Sequence, residues 1–218
     1  PTYLLCKQAS LNSKVVLSIS IVTYQLEVEL FHKLLESLYV SINSLASESD
    51  PVTIKIIDNG NQEQLLSDIC SGFKNDKVRL EIISGLKNIG YGRAHNLGIL
   101  TSNTEFHLIL NPDVLLDPES LSEGISYLRN TENVCAVTPL CRDEKGDIQY
   151  LAKRYPSVLD LILRGLAPRK IQSLFGSRLS RYESREIINQ DSAGKVELIS
   201  GCFMLCRTDF LKKIGGFD

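Results

Sequence analysis

The chain has 218 residues and a net charge of −2, from 24 Lys and Arg against 26 Asp and Glu, so it is long enough for one large domain or two small ones. It lacks the chain-wide basic field on which duplex binding depends, which excludes a general nucleic-acid binder. With 43% hydrophobic and 23% charged residues, 14 Gly and 7 Pro, it is neither disordered nor of low complexity.

The first strand is expected at Leu17 to Thr23, a β-branched apolar run, and Leu30, Leu34, Leu35, Leu38, Ile42 and Leu45 then recur at helical spacing. A second strand, Val52 to Ile57, ends in Asp58-Asn59-Gly60-Asn61, and a polar helix follows from Glu63 to Phe73. Leu80 to Ile83 is a third strand, Arg93 to Leu100 a helix leaving a glycine-rich turn, and Phe106 to Leu110 a fourth strand broken at Asn111-Pro112-Asp113. This alternation predicts an α/β fold, a mostly parallel Rossmann-like sheet flanked by helices, which binds ligands at the carboxyl ends of its strands. Those ends carry Thr23-Tyr24, Asp58-Asn59, the Gly90 loop and Asp113.

The second half is less regular. Strands are expected at Val134 to Pro139 and Glu197 to Arg207, with Gly201 inside the latter. Between them, residues 151–185 hold eight basic residues against Asp160 and Glu183, a formal +6 that leaves −8 on the rest of the chain. No internal repeat or linker interrupts the order, so 1–218 reads as one domain with a basic, less regular insertion at 151–195. The longest aliphatic stretch, Val15 to Val22, is interrupted by Ser18 and Ser20 and is far shorter than the roughly 20 residues of a spanning helix. The start, Pro1-Thr2-Tyr3-Leu4-Leu5-Cys6, does not read as a signal peptide. None of the six cysteines form a C-x-x-C pair, so they are expected to be buried thiols of a reducing, cytoplasmic compartment.

Several motifs have both a chemical and a plain reading. In Asn88-Ile89-Gly90-Tyr91-Gly92-Arg93-Ala94-His95-Asn96-Leu97-Gly98 the glycines let backbone N–H groups approach an anion beside a helix start, or they only shape a turn. It is not the dinucleotide fingerprint, because His95 stands where the third glycine belongs. Asp113 after its strand either holds a hard divalent cation against a diphosphate or serves as a turn residue. Asp58 either accepts from a base or ribose or makes an Asx turn with Asn59-Gly60. Of the histidines, His32 is expected in solvent, His107 in the core, and His95 packed against the loop.

Together these segments resemble the family 2 inverting glycosyltransferases, especially the rhamnosyltransferase-like branch that builds cell-surface polysaccharides. The matching positions are Ser18 to Tyr24, Ile57-Asp58-Asn59, Asn88 to Gly98, Leu110 to Val114, Ser200 to Leu205, and Ile214-Gly215-Gly216-Phe217-Asp218. The resemblance implies the GT-A fold, with Thr23, Tyr24 and Asp58 at the nucleotide and Gly90, Arg93 and Asn96 lining the donor pocket. Asp113 would be the ligand to Mg²⁺ or Mn²⁺, although Asn111 replaces the first Asp of the family's metal motif, and Ser200 and Gly201 would lie on the acceptor side. The implied reaction moves a sugar, rhamnose being one candidate, from a nucleotide-diphosphate sugar to a hydroxyl of a growing glycan or lipid-linked acceptor. Its general base belongs to a Glu-Asp pair after Gly-Gly-Phe-Asp and is therefore expected beyond Asp218. A non-catalytic nucleotide-sugar-binding module is the alternative. A nucleotidylyltransferase is disfavoured, because no Gly or Arg occurs between Thr23 and Glu36. The basic segment is expected to pack on the protein or to touch anionic lipid on the inner face of the membrane.

Overall fold

A computed structural model of the chain describes residues 16–45, 51–73, 75–143, 145–150 and 193–218. They belong to two compact units, one running up to Val137 and resuming over Gly201–Asp218, the other within Thr138–Ser200.

The first unit is built from β1 (Leu17–Thr23), α1 (Val28–Asn43), β2 (Val52–Asp58), α2 (Glu63–Ser71), β3 (Val78–Ile83), α3 (Tyr91–Thr101) and β4 (Phe106–Leu110). It continues through α4 (Ser120–Asn130), β5 (Ala136–Val137), β8 (Phe203–Arg207) and α5 (Thr208–Lys213). The sheet order is β3-β2-β1-β4-β8-β5, with the first four strands parallel and β8 antiparallel to both β4 and β5. The chain winds outward from β1 to β3 and then returns to β4 on the other side of β1. The topological switch point, where such sheets bind ligands, therefore lies between the carboxyl ends of β1 and β4.

β1 is buried at all seven positions, and alternation separates apolar Leu17, Ile19 and Ile21 from polar Ser18 and Ser20. Leu17, Ile19 and Ile21 join Phe31, Leu34, Leu35 and Leu38 of α1 and Leu121, Ile125 and Leu128 of α4 in the main core. Each such side chain contributes about 1.5–3 kcal/mol on burial. Ser18 and Ser20 turn to the opposite face, where α3 approaches closely at Gly98. His107 is buried there and bonded to both serines, and His32 is exposed beside Glu36.

Two strands are shorter than the sequence suggests. The expected strand at 134–139 pairs only at Ala136–Val137, and the one at 197–207 begins at Phe203. Antiparallel pairing of β8 with β4 runs out where Asn111 N–H bonds the Cys202 carbonyl, because the next residue, Pro112, has no N–H to continue the ladder. The helices at 120–130 and 208–213 add to the expected elements.

The second unit contains the hairpin β6 (Cys141–Arg142) and β7 (Ile148–Gln149), organised by Asp143, whose Oδ1 accepts from the N–H groups of Lys145 and Asp147. The insertion expected at 151–195 lies almost wholly outside the described residues, as does the basic segment 151–185. Among the described residues Cys70 and Cys206 are buried thiols. Burial pushes Cys70 up to about 11, and burial with neighbouring Cys135 pushes Cys206 up to about 12, so neither is a ready thiolate at neutral pH. No described helix is long and apolar enough to cross a membrane.

Candidate functional site

The carboxyl ends of β1 and β2 are tied to each other before any ligand is considered. Thr23 is buried, its carbonyl accepts from Asn59 N–H at 2.9 Å, and its hydroxyl points to the Ile57 carbonyl at 3.4 Å. Tyr24, the next residue, is exposed. Asp58 is buried and makes the Asx turn: Oδ1 accepts from Gly60 N–H at 3.0 Å and Oδ2 from Gln62 N–H at 2.7 Å, at the entry to α2. Each oxygen keeps a second lone pair for a further donor. Asn59 reaches across to the glycine loop, donating to Asn88 Oδ1 and accepting from Ile89 N–H, both at 3.0 Å. Asn88 Oδ1 also accepts from Gly90 N–H.

That loop delivers the chain into α3 through Gly90, whose φ of 84° lies in the left-handed region that glycine alone adopts without strain. No side chain among the described residues caps α3, so the N–H groups of Tyr91, Gly92 and Arg93 have no intrahelical or capping partner there. An uncapped N-terminus with the positive end of the helix dipole is a receptor for an anion, and the exposed Arg93 side chain adds a full charge beside it. Asn96, one turn on, is bonded to the last segment: its Nδ2 donates to the Phe217 carbonyl and its Oδ1 accepts from Phe217 N–H, each at 2.8 Å. Gly216, with φ of 80°, leaves room for this amide.

On the other side of the switch point stands Asp113, exposed and without a hydrogen bond or ion pair to any described residue. Among the described residues no three His, Cys, Asp or Glu side chains come together, so a metal here would take at most two such protein ligands, Asp113 among them. That donor set fits Mg²⁺ or Mn²⁺ completed by phosphate oxygens and water, since such ions are bound through one or two carboxylates with the substrate supplying the rest. Gly201 lies in the first unit, beside α3, whereas Ser200 is half-buried in the second unit.

Tyr91 is the site residue that sequence reasoning passed over. Its hydroxyl lies 2.7 Å from the Gly201 carbonyl and 3.2 Å from Asn111 Oδ1. Burial, with Cys202 and Asp113 nearby, raises its pKa further above the usual phenol value, so it stays a donor. The signal was available as an aromatic between two loop glycines, but nothing in the sequence identifies its partners.

A family model described as glycosyl transferase family 2 matches residues 18–215. The rhamnosyltransferase WbbL of Escherichia coli K12 is 26% identical over 179 residues, covering 78% of this chain and 62% of that protein. The N-acetylglucosaminyl-diphospho-decaprenol L-rhamnosyltransferase of Mycobacterium tuberculosis H37Rv is 27% identical over 190 residues, 80% of this chain and 58% of that protein. The chain thus spans about three fifths of the length of these curated relatives. Among solved structures, the mannosyltransferase PcManGT of Pyrobaculum calidifontis, in complex with GDP-Man and Mn²⁺, matches with a TM-score of 0.58 and 14% identity, covering 94% of this chain and 48% of that one. Residues 1–349 of S. aureus TarS in complex with UDP-GlcNAc match with a TM-score of 0.51 and 15% identity, covering 92% and 47%. The fold is GT-A, and the chain belongs to glycosyl transferase family 2.

Proposed function

We propose that this member of glycosyl transferase family 2 transfers a sugar, with inversion, from a nucleotide-diphosphate sugar to a hydroxyl of a growing cell-surface glycan or lipid-linked acceptor. The observation that carries the reading is the meeting of an uncapped α3 N-terminus with the Thr23, Asp58 and Asp113 strand ends at the sheet's switch point. A rhamnosyl donor is supported by the names of the two curated relatives, and a lipid-linked diphosphate acceptor by that of the mycobacterial one.

In this reading the nucleoside lies over Thr23, Tyr24 and Asp58, whose remaining lone pairs accept from base or ribose. The diphosphate sits on the N–H groups of Tyr91, Gly92 and Arg93, with the Arg93 guanidinium beside it. Asp113 holds Mg²⁺ or Mn²⁺, which when bound supplies Lewis-acid neutralisation of the leaving diphosphate. Ser200 and Gly201 border the acceptor. The acceptor proton goes to a base on the face opposite the leaving group, which the family resemblance assigns to a Glu-Asp pair following Asp218. The work is done at the cytoplasmic face of the membrane.

Three measurements test this. In a thermal-shift panel of nucleotide sugars with and without Mn²⁺, the matching donor raises stability by about 2.7 kcal/mol at a hundredfold excess over its Kd. Asp113→Ala abolishes the metal-dependent part of nucleoside-diphosphate binding in calorimetry, and full retention would move the metal elsewhere. In a transfer assay residues 1–218 bind donor yet turn over slowly, because loss of a general base costs about 10² to 10⁴ in rate. Fast turnover by these residues would put the base among them.

A further inference from the structure

We propose that Tyr91 is a positioning residue for the metal and the diphosphate: its hydroxyl, held between Asn111 Oδ1 and the Gly201 carbonyl, ties the strand end that carries Asp113 to the N-terminus of α3. The inference rests on the donor-site reading above and adds to it the part that sets the distance between the metal carboxylate and the anion-binding helix end.

Tyr91 is the first residue of α3, so its own N–H is one of the three open donors while its side chain reaches across the switch point. The phenol is braced on both sides. Its ring meets His95 edge to face at 4.4 Å, and Phe217 stands 6.0 Å away. His95 is itself buried and held by its Nδ1, which lies 2.7 Å from Ser20 Oγ in the layer beneath α3. Gly201 makes the hydroxyl's seat: a Cβ there would lie 2.7 Å from Tyr91 Oη, closer than atoms pack. Gly201 is not in the left-handed φ region, so this contact, and not backbone strain, is what a side chain at 201 would disturb. The hydroxyl has one hydrogen and two acceptors, and the shorter bond is to Gly201. That hydrogen is shared between the two, so the Gly201 carbonyl is the stronger anchor and Asn111 Oδ1 takes the weaker branch of a bifurcated bond. Asn111 is two residues from Asp113 and separated from it by a proline of fixed φ, so its placement is passed on to the carboxylate.

The test is calorimetry of UDP, GDP, ADP and dTDP, each with and without Mn²⁺, on the unsubstituted protein, Tyr91→Phe and Gly201→Ala. The phenylalanine variant keeps the ring and its packing and loses only the hydroxyl. Its metal-dependent affinity for the diphosphate that binds should fall about tenfold, the scale of one or two lost hydrogen bonds, while metal-free affinity stays within about twofold. Gly201→Ala displaces the same hydroxyl from the other side, should give a similar loss, and should add little when combined with Tyr91→Phe. If Tyr91→Phe does not fold, Gly201→Ala alone carries the comparison. Metal-dependent affinity unchanged in the variants overturns the inference and leaves the donor site standing. An equal loss with and without metal also overturns it, since Tyr91 would then only support α3. Absence of metal-dependent binding in the unsubstituted protein overturns the donor-site reading and the inference with it.

Discussion

Ser20 carries more of the structure than its size suggests. Its hydroxyl stands between two buried imidazoles, 2.7 Å from His95 Nδ1 and 2.9 Å from His107 Nε2, while Ser18 Oγ takes the other nitrogen of His107 at 2.7 Å. With one hydrogen per hydroxyl, the chain is satisfied when both rings are neutral, each presenting one donor and one acceptor. Among the described residues His95 Nε2 has no hydrogen-bond partner. A second proton on either ring would add charge to a layer closed to water, and burial lowers both pKa values from 6.5 to about 3, with His95 and Lys55 also opposing the charge on His107. Both folded values lie below the unfolded one, so between about pH 3 and 6.5 the unfolded chain binds more protons and stability falls as the solution is acidified. Each histidine should contribute a loss of about 2 kcal/mol between about pH 7 and pH 5. Urea unfolding at the two pH values, compared between the unsubstituted protein and His95→Gln, isolates one share. An identical pH dependence in the two proteins would mean that His95 is not held neutral by its surroundings.

Among the elements, α3 and α4 each carry a glycine against the sheet, and the two should respond differently to the same change. A Cβ on Gly98 would come 2.8 Å from Ser20 Cβ, an atom fixed to a central strand, and one on Gly124 the same distance from Leu205 Cδ2, the far end of a flexible side chain. Alanine gains about 1 kcal/mol of helix propensity at either position. Overpacking costs about 1–3 kcal/mol where the neighbour cannot give. Gly98→Ala should therefore lower the denaturation midpoint and Gly124→Ala leave it level or raise it, and the reverse order would show that α3 slides on the sheet. The central strands and α1 were legible in the sequence because full burial writes itself as β-branched runs and heptad-like leucines. β3 was legible only from Leu80, since its first residues, Val78 and Arg79, sit at a partly exposed edge. α4 was missed although Leu121, Ile125 and Leu128 keep helical spacing, because Gly124 and a polar remainder mask so short a stripe. At the site, the sequence placed Thr23, Asp58, Gly90, Arg93 and Asp113 at strand and loop ends, which is a property of local pattern. It could not pair Tyr91 with Gly201, or Asn96 with Phe217, because those contacts join residues more than a hundred positions apart.

At the scale of the whole molecule the charge is unevenly divided. The chain is nearly neutral, yet residues 151–185 hold +6 against −8 elsewhere, and Val158, Leu159, Leu161, Ile162, Leu163 and Leu166 put apolar side chains among those charges. Basic residues interleaved with aliphatic ones suit an anionic surface, and the lipid-linked acceptor proposed above would give the enzyme reason to stay near one. Each Lys or Arg close to such a surface contributes about 1 kcal/mol, so four acting together give a reversible attachment that salt weakens. We expect the protein to float with anionic vesicles at low salt, to remain behind with neutral ones, and to lose attachment in high salt. Arg164→Glu, Arg169→Glu and Lys170→Glu together should abolish flotation without changing nucleoside-diphosphate affinity, since none of the three is among the residues proposed for the donor site. A protein that stays in the soluble fraction with anionic vesicles at low salt would assign the segment to packing and require the acceptor to be recruited by another surface.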